Sequence, residues 1–321
     1  MSFIQLNTYA KINLSLDITG VRKDGYHEVS MVMQAVDLSD VLSVELKSSE
    51  TSRIFLTSDS ADVPDDERNT AYRAARMMLG LYESAAQSGG VNSSSPKENN
   101  SSWEVHIDIK KNIPVAAGLA GGSSNAAGVI LALNRLLGMD LSLSRLCAAG
   151  EKIGADVPFC IMAAAGSQRR LLNIKGGASC ALAEGIGEIL TPLRSVLFWV
   201  VLVKPPAGIS TAEVYRRIDE ISIKKHPETA HLIEGISSGN MQKIKSSMGN
   251  VLENVTFSMC PESGALKERL NEKGCVAAMM SGSGPTVFAL FQAREKAAAA
   301  VSSLRDLKEQ GYSIFLVKTL Q

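Results

Sequence analysis

This sequence predicts an α+β protein of two domains, and three observations carry that reading. The opening residues alternate apolar and polar with the period of a strand. The first half then turns to helical spacing without regular β–α–β alternation. The second half runs strand, helices, strand, strand, helix, strand, which matches a split βαββαβ sandwich with extra helices inserted. At 321 residues the chain exceeds the size at which one hydrophobic core stops growing. A boundary near residue 195 divides it into domains 1–194 and 195–321.

In residues 8–18, Ala10, Ile12, Leu14, Leu16 and Ile18 share one face, and Tyr9, Lys11, Asn13, Ser15 and Asp17 share the other. That is a half-buried strand. The turn GVRKDGYH leads to a second apolar segment at 29–36, with further strands expected at 41–47, 53–57 and 103–109. Helix signals lie at 69–86, where Asn69 or Thr70 can cap, and at 123–137 and 142–152. Residues 88–102, rich in Ser, Asn and Gly, read as a mobile surface loop. The second half offers a strand in LFWVVLVKP, helices between 211 and 273, the strands VAAMM and TVFALF around the turn SGSGP, a helix at 293–308, and a last strand in SIFLVKTL.

Thirty-three basic side chains balance thirty-three acidic ones, so no net field favours nucleic acid or an anionic membrane as partner. Apolar runs such as Leu197 to Val203 fall far short of the roughly 20 residues a membrane span needs. Lys11 and Asp17 interrupt the N-terminal apolar character, which argues against a secretory signal. Five cysteines, odd in number and without a CxxC pair, read as reduced thiols of a cytoplasmic protein rather than a metal site.

The stretch from Pro114 to Gly138 holds the most chemistry. Gly118, Gly121 and Gly122 precede Ser123, Ser124 and an Ala/Leu-rich helical pattern. Glycine accepts positive φ at little cost, so such a loop can aim its amides at one point. The helix start adds unpaired N–H groups and the positive end of its dipole, which makes an anion site. The P-loop motif is excluded because no Gly-Lys dipeptide occurs. The dinucleotide motif fails because Ala120 stands at its second glycine position. The bland alternative is a glycine turn that only lets a helix pack closely.

PVAAGLAGGSSNAA resembles the P-x-x-x-G-L-x-[GS]-S-S-x-A signature of the GHMP small-molecule kinases, which include galactokinase, homoserine kinase and mevalonate kinase. AKINL (Ala10 to Leu14) and SGSGPTVFAL (Ser281 to Leu290) resemble two more signatures of that superfamily. The likeness spans nearly the whole chain. AKINLSLDITGVRKDGYHEV and GADVPF are similar to the branch that phosphorylates a cytidine diphosphate sugar alcohol of the non-mevalonate isoprenoid route. The resemblance implies a two-domain GHMP kinase fold: a ribosomal S5 domain 2-like N-terminal domain and a ferredoxin-like C-terminal domain. It implies ATP as phosphoryl donor, Mg²⁺, and a monomer or homodimer. Ala116, Ala117 and Ala120 stand where the family often has glycine. Alanine is tolerated where φ is negative, so the loop can survive these replacements. Residues 88–102 and the stretch around 167–178 look like insertions.

Roles follow from the resemblance, each beside a plainer alternative. Lys11 would hold the substrate hydroxyl and the transferring phosphoryl group, although a strand lysine is usually just exposed. Asn13, two residues away on the same face, would position that hydroxyl. Asp156 in GADVPF would be the base, although an Asp at a helix end is most often a cap, and Pro158 should help stop the preceding helix. Ser123 and Ser124 would cap the helix and also touch phosphate or Mg²⁺. Gly118, Gly121 and Gly122, with Pro114 and Leu119, would line the ATP phosphates. Asn69 and Lys111 match positions near adenine and ribose, against a helix cap and a solvated lysine. Tyr26 and His27 match positions that hold cytosine, with Tyr215 as a second wall; Tyr26 as core packing is the alternative. A homoserine or other small-alcohol kinase, a silent ligand-binding regulator and a nucleic-acid binder are the rival functions.

Overall fold

The computed structural model describes residues 2–87 and 102–321. The polar segment at 88–101 lies outside the described residues. Its elements in chain order are β1 (Phe3–Val21), β2 (His27–Ser49), β3 (Arg53–Ser58), α1 (Thr70–Gln87), β4 (Ser102–Lys110), α2 (Gly121–Leu136), α3 (Leu143–Glu151), α4 (Val157–Ser167), α5 (Arg169–Leu172), β5 (Cys180–Glu184) and β6 (Ile189–Leu193). They continue with β7 (Trp199–Lys204), α6 (Thr211–Ile218), α7 (Thr229–Ser238), α8 (Met241–Ser247), β8 (Gly249–Asn250), α9 (Glu253–Met259), α10 (Pro261–Asn271), β9 (Ala277–Met280), β10 (Val287–Phe291), α11 (Arg294–Ser302), α12 (Arg305–Glu309) and β11 (Ser313–Lys318). The chain forms two compact units, each discontinuous in sequence. One comprises Met1–Ala10, Leu38–Ile113 and Gly121–Ala178; the other comprises Lys11–Asp37, Pro114–Ala120 and Ser179–Gln321.

In the first unit β4 pairs antiparallel with the end of β2, from Val41 opposite Lys110 to Ser49 opposite Ser102, and parallel with β3. The apolar segments at 29–36 and 41–47 belong to one continuous strand, β2. The polar residues between them do not break it, because Leu38, Asp40, Leu42, Val44 and Leu46 keep the inward period of two. Helix α2 packs close on this sheet. A Cβ on Gly128 would lie 2.5 Å from Thr8 Cγ2 and 2.6 Å from Leu42 Cδ2, so only glycine lets the helix approach so near. Helix α4, VPFCIMAAAGS, is apolar on every side and its first nine residues are buried. Pro158 does not serve to end a helix here. It sits in the first turn of α4 and starts one, a place where its missing N–H is no loss.

The second unit holds a four-stranded sheet in the order β11–β7–β10–β9, antiparallel throughout. Counted along the chain, that order is fourth, first, third, second, which is the ferredoxin-like arrangement the element pattern predicts. Val203 stands opposite Val287 on one side and Ile314 on the other. Val201, Val203 and Ala289 pack with Leu266 and Leu270 of α10 and Ala297 and Ala300 of α11. The helix expected at 293–308 is two helices, α11 and α12. Strands β5 and β6 pair with each other, and β5 with Met31–Gln34 of β2; sequence periodicity did not reveal them.

Candidate active site

The loop entering α2 is bent by left-handed backbone at every second residue: φ is 51° at Ala116, 72° at Gly118 and 58° at Ala120. Negative φ, the condition under which alanine is readily tolerated, is not met at 116 and 120. The same bend that glycine makes freely is here imposed on alanine, at about 1–2 kcal/mol per residue, and the surrounding contacts hold it. Gly118 has no such latitude. A Cβ there would meet the Ser281 carbonyl oxygen at 2.2 Å. Ser281 Oγ donates to the Gly118 carbonyl (3.0 Å), and the Lys11 amide donates to the Leu119 carbonyl (3.1 Å).

Lys11 is buried, not an exposed strand lysine. Its Nζ donates to Asn13 Oδ1 at 2.8 Å. A Cβ on Gly282 would lie 3.2 Å from that Nζ, so the second glycine turn passes directly over the amine. Thus Lys11, Asn13, Gly118, Leu119 and the 281–284 turn meet at one place in the second unit. Asn250, which no sequence pattern flagged, holds that turn: its Nδ2 donates to the carbonyls of Met280 (2.9 Å) and Gly282 (2.8 Å).

In the first unit α2 begins at Gly121, so Ser123 and Ser124 lie inside its first turn and not at the cap. Ser124 Oγ donates to the Tyr9 carbonyl (2.7 Å) and ties α2 to β1. Thr70 Oγ donates to the Gly122 carbonyl (2.7 Å). Asn69 does what its plainer reading says. Its Oδ1 accepts from the Ala71 amide (2.8 Å), capping α1, and its Nδ2 donates to the Pro64 carbonyl (2.7 Å).

Lys111 is not a solvated lysine. Its Nζ pairs with Asp40, whose side chain is fully buried, and reaches Asn125 Oδ1 at 3.3 Å. Asp156 occupies the N-cap position of α4 (φ −79°, ψ −14°), and its side chain makes no capping hydrogen bond there.

On the hairpin side, Gly25 turns the chain with φ 85°. Tyr26 is 61% exposed, which rules out the core-packing alternative. The His27 ring lies 5.1 Å from that of Tyr215, tilted by 47°, and its Nε2 donates to Asp219 Oδ1 at 2.7 Å.

Models of known families match the chain in two places: the GHMP kinases N terminal domain over residues 69–164 and GHMP kinases C terminal over 232–310. The 4-diphosphocytidyl-2-C-methyl-D-erythritol kinase of Alkaliphilus metalliredigens is 40% identical, covering 98% of this chain and 97% of its own. That of Bacillus pumilus is 42% identical, covering 96% and 95%. The chain belongs to the 4-diphosphocytidyl-2-C-methyl-D-erythritol kinase family of GHMP kinases. A solved 4-(cytidine 5'-diphospho)-2C-methyl-D-erythritol kinase superposes with a TM-score of 0.72 at 28% identity, over 99% of this chain and 100% of that one. Homoserine kinase from Cytophaga hutchinsonii superposes at 0.68 with 18% identity over 100% and 95%, a likeness of fold. The two-domain GHMP kinase fold expected from the sequence is therefore the fold of this family. No helix among the described residues is long and apolar enough to cross a membrane.

Proposed function

We propose that this chain transfers the γ-phosphoryl group of ATP to the 2-hydroxyl of 4-diphosphocytidyl-2-C-methyl-D-erythritol, a step of the non-mevalonate (methylerythritol phosphate) isoprenoid route. One observation carries the chemistry: a buried Lys11 amine, bonded to Asn13 and set under the Gly282 turn. A fixed cation costs no reorganisation when charge develops on a transferring phosphoryl group. Asp156 takes the proton of the 2-hydroxyl. The freed oxygen attacks the γ-phosphorus in line, and the bond from that phosphorus to the bridging oxygen of ADP breaks. Asn13 orients the hydroxyl, and Lys11 stabilises the charge on the transferring oxygens.

The amides of Gly118, Gly121 and Gly122, at the positive end of α2, face the ATP phosphates, with Pro114, Leu119, Ser123 and Ser124 alongside. Asn69 and Lys111 border the adenine and ribose. Tyr26, His27 and Tyr215 hold the cytosine by ring contact and edge hydrogen bonds. Among the described residues no three His, Cys, Asp or Glu side chains group as a metal site. Mg²⁺ in this reading is carried by the nucleotide, where it neutralises phosphate charge, with Ser123 as the protein hydroxyl offered to it. The same reading places the enzyme in the cytoplasm as a monomer or homodimer.

ADP release is measured with the cytidine compound, homoserine and mevalonate offered in parallel. Turnover of the cytidine compound alone is the expected result. No turnover, or turnover of homoserine in its place, overturns the assignment.

A further inference from the structure

Asp40 takes no part in the reaction just described, yet its carboxylate is fully buried in β2. A buried carboxylate persists only when paired and hydrogen-bonded, and this one is saturated. Its Oδ1 accepts from the amides of Asn112 and Ile113, both at 2.8 Å. Its Oδ2 accepts from Lys111 Nζ and from Asn125 Nδ2, the latter at 2.9 Å.

These donors sit at the two ends of one loop. Residues 111–113 lie immediately before Pro114, where the glycine loop starts, and Asn125 lies near the start of α2, where the loop finishes. Lys111 also reaches the exit of the loop: a Cβ on Gly121 would stand 3.2 Å from its Nζ. Asn125 Nδ2 is further tied to Thr8 Oγ1 at 2.8 Å, which anchors the cluster on β1.

We infer that Asp40 is a positioning residue for nucleotide binding: through Lys111 and Asn125 it fixes both ends of the phosphate loop, so the loop amides converge before ATP arrives. This rests on the reading of the loop as the ATP site. A loop ordered in advance does not lose that order from its binding energy. A merely structural ion pair would behave differently. Its replacement by neutral groups of similar shape would leave ligand affinity alone.

The test measures ADP affinity by titration calorimetry for the wild type, Asp40→Asn, Lys111→Met, the double variant Asp40→Asn/Lys111→Met, and Asn125→Ala, with thermal unfolding as the check on folding. Asp40→Asn is expected to weaken ADP binding about tenfold or more, as loss of charge-assisted hydrogen bonds does. Added to Lys111→Met it should cost less than about a further twofold, because the two act as one unit. Asn125→Ala leaves the charge pair intact but frees α2 from it, and should also weaken ADP binding several-fold.

A folded Asp40→Asn protein that binds ADP within about twofold of wild type overturns the inference, as do effects of Asp40→Asn and Lys111→Met that multiply in full. If Asp40→Asn does not fold, Asn125→Ala decides: weakened ADP binding supports the inference and unchanged binding overturns it. A wild type that binds no ADP would instead overturn the ATP-site reading, and the inference with it.

Discussion

Asp156 and Asn69 stand at equivalent helix-start positions, but only the Asn69 side chain caps its helix. Asn69 spends both ends of its amide on capping α1 and holding Pro64. Asp156 stands at the corresponding position of α4 and makes no capping bond with its side chain. Replacement of Asp156 by Asn therefore leaves α4 its start, since Asn suits a cap as well as Asp does. The expected outcome for Asp156→Asn is a kcat lower by about 10²–10⁴, the span of general-base assistance, with ADP affinity unchanged. Steady-state turnover and ADP titration measure the two, and a rate near that of the wild type removes Asp156 from the role of base.

At the scale of the element, the loop from Pro114 to Gly122 mixes two kinds of left-handed residue. Ala120 carries its Cβ at φ 58°, whereas at Gly118, with φ 72°, a Cβ would be driven against the Ser281 carbonyl. The two positions should respond in opposite ways. Gly118→Ala adds left-handed strain to a 2.2 Å clash that no side-chain rotation relieves. It is expected to destabilise by at least about 2 kcal/mol. Ala120→Gly relieves strain but loosens the unfolded chain, terms that nearly cancel, so its stability should stay within about 1 kcal/mol of wild type. Denaturant unfolding of both variants measures this, and equal losses at the two sites would show that the Ser281 contact does not constrain the loop.

At the scale of the whole molecule, none of the five cysteines is joined in a disulfide. Cys160, Cys180 and Cys260 are buried. Burial pushes the Cys180 thiol up to about 12 and that of Cys147 up to about 11, and also raises Cys275. A thiol is reactive as its thiolate, so burial withholds both access and charge. Native protein at pH 8 is expected to react slowly with a thiol reagent, at Cys147 and Cys275 only, and at all five positions once unfolded. Fast labelling of a third cysteine in the native state would show that one of the buried positions opens readily.

Local pattern determined much of this protein by itself. The alternation of β1, the succession of elements along the C-terminal half, and the motifs around Lys11, Gly118–Ser124 and Asp156 are properties of neighbouring residues, and they are legible without coordinates. Other features belong to partners far apart in the chain. Asp40 reads as one polar residue in a strand until the fold sets it against Lys111 and Asn125. Asn250 is unremarked in sequence until it grips the turn at Gly282. The left-handed alanines, too, are held by their surroundings against their own preference. No periodicity encodes such contacts, because what sets the cost or benefit of a charge, an amide or a bent backbone is which groups surround it, and packing alone brings those groups together.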